Sequence, residues 1–234
     1  MTASHAPEMS EVLSGQRKIV VLAPHPDDES LGCGALLARA FTGAGAHVIC
    51  ITDGSASHPN SSEWLPARLA ECRRAELIDA IACMGGAAED VTWMGLPDAK
   101  LYQIDPAEIA NDLQAIIKTC GAQHIFVPAA EDHHEDHKVV VEAARVLRRL
   151  RPDWSFYSYP VWCRWDDANF ECEVMRHAPA FIEAGAWAAS KRAAIMSHRS
   201  QMGEVVRDDP LGFVLPAELV EKFVNGDEIF WRMP

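Results

Sequence analysis

The 234-residue sequence predicts an α/β fold of three layers, α/β/α, Rossmann-like and doubly wound around a mainly parallel sheet. Two observations carry this expectation. Short runs rich in Ile and Val alternate with longer stretches whose apolar residues recur at helical spacing. Such alternation implies strand–crossover–strand units, whose right-handed connections place helices on both faces of a parallel sheet.

The elements follow in order. Lys18 to Ala23 reads as a buried strand, and Leu31, Ala35 and Ala38 as a helix ending at Gly43. His47 to Thr52 is a second strand, followed by a polar loop from Ser55 to Ser62. Leu65, Leu69, Cys72, Leu77, Ile81 and Met84 mark a long helix that Gly85 and Gly86 stop. Val91 to Met94 is a third strand. Asp105 caps the next helix, with Pro106 at its first position, Glu108 completing a capping-box pattern, and Gly121 at its end. Ile125 to Pro128 is a fourth strand, Val139 to Leu150 a fourth helix, and Trp154 to Tyr159 a fifth strand. Beyond Pro160 the pattern weakens: Ala186 to Arg199 and Ala217 to Val224 read as helices, and Glu228 to Arg232 as an edge strand. Residues 1–16 are expected to be a flexible lead-in and residues 17–234 a single domain, a natural size for a chain that is 49% hydrophobic.

Composition narrows the function. The formal net charge is −13 and the pI about 5.1. No basic patch of the kind that displaces counterions from nucleic acid is evident. Arg145, Arg148, Arg149 and Arg151 cluster at a predicted helix C-terminus, where cations suit the helix dipole. Seven cysteines, none in a C-x-x-C pair and several inside apolar runs, read as reduced thiols. With no apolar leader and no run of membrane-spanning length, a cytoplasmic protein acting on a small molecule is expected, as a monomer or a homo-oligomer.

Two polar clusters stand out. Pro24-His25-Pro26-Asp27-Asp28-Glu29 follows the first strand, and Asp132-His133-His134-Glu135-Asp136-His137 follows the fourth. In a doubly wound sheet these strands are commonly neighbours at the switch point, and ligands sit beyond their carboxyl ends. Clusters more than 100 residues apart would then face one cleft. His25 and Asp28 can reach one ion from a single turn, and a histidine of the second cluster would complete a three-ligand zinc site with a position left for water. Zinc lowers the pKa of bound water from about 15.7 to about 7. A further carboxylate can take the proton, and a histidine can protonate a leaving amine. Asp28 or Ser30 alone could be mere helix caps; the pairing of both clusters is what argues for chemistry.

The residues just quoted resemble the PIG-L/LmbE-like N-acetylglucosaminyl deacetylases. The first cluster is similar to that family's signature, and His134-Glu135-Asp136-His137 resembles its His-Pro-Asp-His motif. The likeness continues through Thr52-Asp53-Gly54, Arg73-Arg74-Ala75-Glu76, Gly95-Leu96-Pro97-Asp98 and His198-Arg199-Ser200-Gln201. It implies zinc-dependent hydrolysis of the N-acetyl amide of an N-acetylglucosamine-type sugar or conjugate, with water on the metal as nucleophile. It implies His25, Asp28 and His137 as metal ligands and Asp27 as general base. His134 would protonate the amine or stabilise the tetrahedral intermediate, and Asp136 would hydrogen-bond and orient His134. Arg73, Asp98 and His198 would line the sugar site. Glu135 replaces the usual proline, Ser55 an often acidic residue, and His133 is an extra, exposed histidine. Trp162, Trp165 and Phe170 lie in a stretch that matches nothing in the family and could wall the cleft. Nitrogen and oxygen ligands suit zinc or ferrous iron.

Two other classes compete. A nucleotide-binding oxidoreductase shares the fold class, but the first turn has no G-x-G-x-x-G and carries two carboxylates that would repel a pyrophosphate. A non-catalytic, metal-stabilised binding protein would be indifferent to Asp27→Asn.

Overall fold

The computed structural model describes residues 6–234, the side chains of Ala6 and Pro7 excepted. Its elements are α1 (Ala6–Leu13), β1 (Ile19–Ala23), α2 (Asp28–Phe41), β2 (Ala46–Thr52), α3 (Pro66–Cys83), β3 (Val91–Leu96), α4 (Pro106–Cys120), β4 (His124–Pro128) and α5 (Glu135–Leu150). Then come β5 (Ser155–Tyr159), the short α6 (Trp162–Asp166) and α7 (Phe170–Val174), β6 (Ala180–Ile182), α8 (Ala188–Ser197), α9 (Ala217–Asn225) and β7 (Glu228–Arg232). The sheet order is β3-β2-β1-β4-β5-β7-β6. The first five strands in space run parallel, and β7 pairs antiparallel with both β5 and β6.

Alternation along each strand sends side chains to opposite faces. Ile19 and Val21 of β1 join one core with Leu36 of α2, Leu77 of α3, Ile195 of α8 and Phe223 of α9. Val20 and Leu22 join the other with Leu113 of α4 and Leu147 of α5. These two cores make the three layers that the alternating pattern predicts.

Three expectations need correction. Residues 6–13 of the expected lead-in form α1, because Val12 and Leu13 find an apolar seat and are buried against the first core; residues 1–5 of that lead-in lie outside the described residues. The capping side chain of Asp105 accepts from Ala107 N at 2.8 Å, a simple N-cap rather than a reciprocal box. The last strand, β7, is interior; the edge is β6. The buried Glu228 at the start of β7 is neutralised by Lys191 at 2.6 Å.

Candidate metal and catalytic site

Strands β1 and β4 are adjacent, with Ile19 opposite His124 and Val21 opposite Phe126. The turns leaving their carboxyl ends, Pro24–Asp27 and Ala129–His134, therefore meet, at the place where the strand order reverses. Asp27 occupies the tightest point of the first turn, at φ 148°. This is a region that L-residues rarely adopt, so the turn holds strain. Glu29 fixes it by accepting from Asp27 N at 3.0 Å, while the Asp27 carbonyl accepts from Ser30 N and Leu31 N as α2 begins.

The three expected ligands converge. Asp28 Oδ2 lies 3.2 Å from His25 Nδ1 and 3.2 Å from His137 Nε2. His137 Nδ1 is 2.9 Å from Asp132, which assigns that nitrogen the proton of the neutral ring and leaves Nε2 as the lone pair once the second proton is displaced. Nε2 is buried and, despite its nearness to Asp28, makes no hydrogen bond among the described residues. An orphaned imidazole nitrogen beside a carboxylate and a second imidazole is the donor set of a zinc or ferrous site, so these residues fit such an ion. His134 widens the choice: ring nitrogens of His25, His134 and His137 all lie within 4.8 Å of one another, as do donor atoms of His25, Asp98 and Asp136.

Electrostatics follow from burial and crowding. Burial opposes charge on both histidine ligands, yet the carboxylates outweigh it. Asp136, Asp28 and Asp98 hold His25 well above its ordinary range, and Asp28 with Asp132 holds His137 up at about 9. Burial pushes the Asp27 carboxyl up to about 6, against the pull of Arg73, whose Nη2 is 3.1 Å from Asp27 Oδ2. Burial and the neighbouring His25 and His137 push His134 down to about 4.

The remaining assignments fare differently. Asp98 joins the site, 3.3 Å from His25 Nε2, and its other oxygen accepts from Ala56 N at 2.8 Å. Arg73 borders the cleft, but its Nη1 donates to Gly54 O and its Nη2 to Pro26 O and Asp27. Gly54 is required there: a Cβ would stand 2.7 Å from Nη1. His133 is exposed at the cleft rim. Two expectations are corrected. The Asp136 carboxylate does not bond His134; it accepts from Ala99 N and Leu101 N and faces His25, while His134 Nδ1 accepts from the Asp136 backbone N as the N-cap of α5. His198 does not line the cleft; it is fully buried behind it, 3.0 Å from Glu29, because its position after α8 packs it against the start of α2.

Two residues without a sequence-based role join the site, Asp132 beside His137 and Phe213 on the cleft wall. A carboxylate five residues before a ligand histidine was the available signal for Asp132. Phe213 carries none, since only tertiary folding brings it to Trp162, 5.8 Å away. The cleft these residues enclose has a volume of about 270 Å³. No helix among the described residues is long and apolar enough to cross a membrane.

Comparison with known proteins agrees with this picture. A "1D-myo-inositol 2-acetamido-2-deoxy-alpha-D-glucopyranoside deacetylase" of Kineococcus radiotolerans is 28% identical over 57% of the chain and 45% of its own length. A "Probable N-acetyl-alpha-D-glucosaminyl L-malate deacetylase 2" of Bacillus subtilis is 28% identical over 91% of the chain and 96% of its own. The chain spans about half the length of several other curated relatives it matches. The N,N'-diacetylchitobiose deacetylase of Pyrococcus horikoshii, solved with an inhibitor, superposes with a TM-score of 0.66 at 18% identity, covering 100% of this chain and 94% of that one, and shares the fold. The family profile described as GlcNAc-PI de-N-acetylase matches residues 20–148, more than half of the chain and both histidine clusters, and the chain belongs to this PIG-L family.

Proposed function

We propose that residues 17–234, with α1 packed on their core, form one catalytic domain, a metal-dependent N-deacetylase that hydrolyses the acetyl amide of an N-acetylglucosamine-type sugar or conjugate. One observation carries the reading. The unpartnered, buried Nε2 of His137 faces Asp28 and His25, with Asp27 alongside. His25, Asp28 and His137 would hold the ion, zinc or ferrous iron. When bound, it supplies Lewis acidity, polarising an acyl oxygen and acidifying water.

The chain's own groups divide the rest. Arg73 holds Oδ2 of Asp27, and the other carboxylate oxygen accepts no hydrogen bond among the described residues, leaving it to take a proton from water. With a pKa of about 6, Asp27 is mostly ionised at neutral pH yet basic enough to accept that proton. His134 has Nδ1 occupied as acceptor from Asp136 N, so its neutral ring carries the proton on Nε2. A ring held near pKa 4 is neutral at pH 7, which supports hydrogen-bond donation to the developing oxyanion over delivery of a proton. The proton gained by Asp27 then goes to the leaving amine. Asp132 and Asp136 act as positioning residues, orienting His137 and His25.

The test is metal analysis of the purified protein together with amine release from a panel of N-acetylglucosamine conjugates. Stoichiometric metal and released amine are expected. No release with zinc, ferrous iron or cobalt across the panel would overturn the reading.

A further inference from the structure

The cleft is lined by two unlike kinds of side chain. Its acids and imidazoles share the lining with Trp162 and Phe213, edge to face at 5.8 Å and 73°, with His133 5.9 Å from the Trp162 ring. Both aromatic side chains lie outside the stretch that matches the family profile. Both are firmly mounted. Trp162 follows β5 between two amides, Val161 N and Cys163 N, that donate to Asp132, the same carboxylate that orients His137. Phe213 N donates to Ser57 O at 2.7 Å, and the loop before it is tied down where Asp208 accepts from Ser62 N and Glu63 N, and Asp209 from Asn60 N. The platform therefore keeps a fixed position relative to the ligand histidine.

Charge says what suits it. Among the described residues the cleft's sole Lys or Arg is Arg73, whose Nη1 and Nη2 are already spent on Gly54, Pro26 and Asp27. Apart from the metal ion that the site would hold, a phosphate or carboxylate on the substrate would find no lysine and no uncommitted Arg73 Nη group among the described residues of the cleft to answer it. A cavity of about 270 Å³ falls just below the usual range for ligand sites, about 300–1,000 Å³. One sugar ring and a small appended group match that size better than an extended chain.

We propose that Trp162 and Phe213 form a subsite for an uncharged, apolar aglycone, preferably planar or aromatic, carried by the acetylated amino sugar. The proposal rests on the deacetylase reading for the sugar and on the aromatic mounting for the aglycone. Stacking of a planar group on such faces favours it by about 10-fold over a methyl group.

The experiment is calorimetric titration of zinc-loaded Asp27→Asn protein with three probes: the phenyl and methyl glycosides of N-acetylglucosamine, and N-acetylglucosamine 1-phosphate. The phenyl glycoside is expected to bind about 10-fold tighter than the methyl, and the phosphate no tighter than the methyl. Adding Trp162→Ala or, should that variant fail to fold, Phe213→Leu is expected to bring the phenyl-to-methyl ratio below about 3. Equal binding of the two glycosides, a ratio unmoved by the folded variant, or tightest binding of the phosphate would overturn the subsite. Amine release by the unmutated enzyme is scored separately. Selective phenyl binding without any release would leave the subsite standing and remove the deacetylase reading.

Discussion

Helix α2 carries two buried charge clusters of opposite character. At its N-terminus, Asp27, Asp28, Asp98, Asp132 and Asp136 crowd around His25 and His137, and His137 Nε2 has no hydrogen-bond partner among the described residues. About two turns further on, Glu228 reaches in from β7 and accepts from Ala35 N at 2.7 Å, Leu36 N at 2.9 Å and Lys191 Nζ at 2.6 Å. There the cations Lys191 and Arg164 also sit over the Phe223 ring. The first cluster has more carboxylates than cations and leaves a donor unused; the second is closed, with every Glu228 oxygen answered. Buried charge that is fully satisfied holds a fold together, whereas buried charge left incomplete is built to receive something.

The largest expected effect breaks the closed cluster. Glu228→Ala strands a buried ammonium and is expected to cost about 3–5 kcal/mol of stability. Metal bound per folded molecule should stay unchanged. Denaturant unfolding with parallel metal analysis checks this, and loss of metal from folded protein would show that the two clusters are not independent.

The next probes the open cluster. Asp27→Asn is expected to keep its metal and its stability while turnover falls about 100-fold or more. Steady-state rates with metal content decide it, and near-normal turnover would favour a non-catalytic role.

A third separates the clusters by pH. The folded-state pKa of His137, about 9, exceeds its ordinary 6.5, because Asp28 and Asp132 outweigh burial. The metal-free protein thus gains stability from the protonated ring below pH 6.5 and loses it as pH rises from 6.5 through 9. An incoming cation must displace that proton, so metal affinity should climb about tenfold per pH unit across this window and level off above it. Metal titrations at pH 7, 8, 9 and 10 measure it; flat affinity from 7 to 9 would contradict the proton's presence.

The smallest concerns the motif departure at Glu135. Its side chain is 72% exposed and the residue is the first of α5, a position where proline is well tolerated. Glu135→Pro should change stability by under about 1 kcal/mol and leave turnover intact, as thermal melts and rates can confirm.

Much of the molecule was legible in the sequence. The five parallel strands announce themselves because each is short, apolar and bounded by turn residues, and the adjacency of β1 and β4 is the arrangement that doubly wound sheets commonly adopt at the switch point. The ligand trio followed from two motifs at strand ends. What stayed hidden depends on choices among partners that only packing makes. Asp136 turns to His25 because the amides of Ala99 and Leu101 draw its carboxylate away from His134. His198 looks like a helix-surface histidine until α8 lies against α2. Phe213 sits in a stretch without periodicity, so nothing local marks it as a wall of the cleft.

The contorted backbone at Asp27 sets stability and turnover against each other at a single codon. At φ 148° glycine is the residue most at ease. Asp27→Gly would relax the chain but discard the proton acceptor and leave the buried Arg73 guanidinium without its carboxylate, so a gain in heat tolerance there requires the strain to outweigh that pair. Laboratory evolution toward a hardier protein should therefore hold that position fixed, or survivors that relax it will be inert.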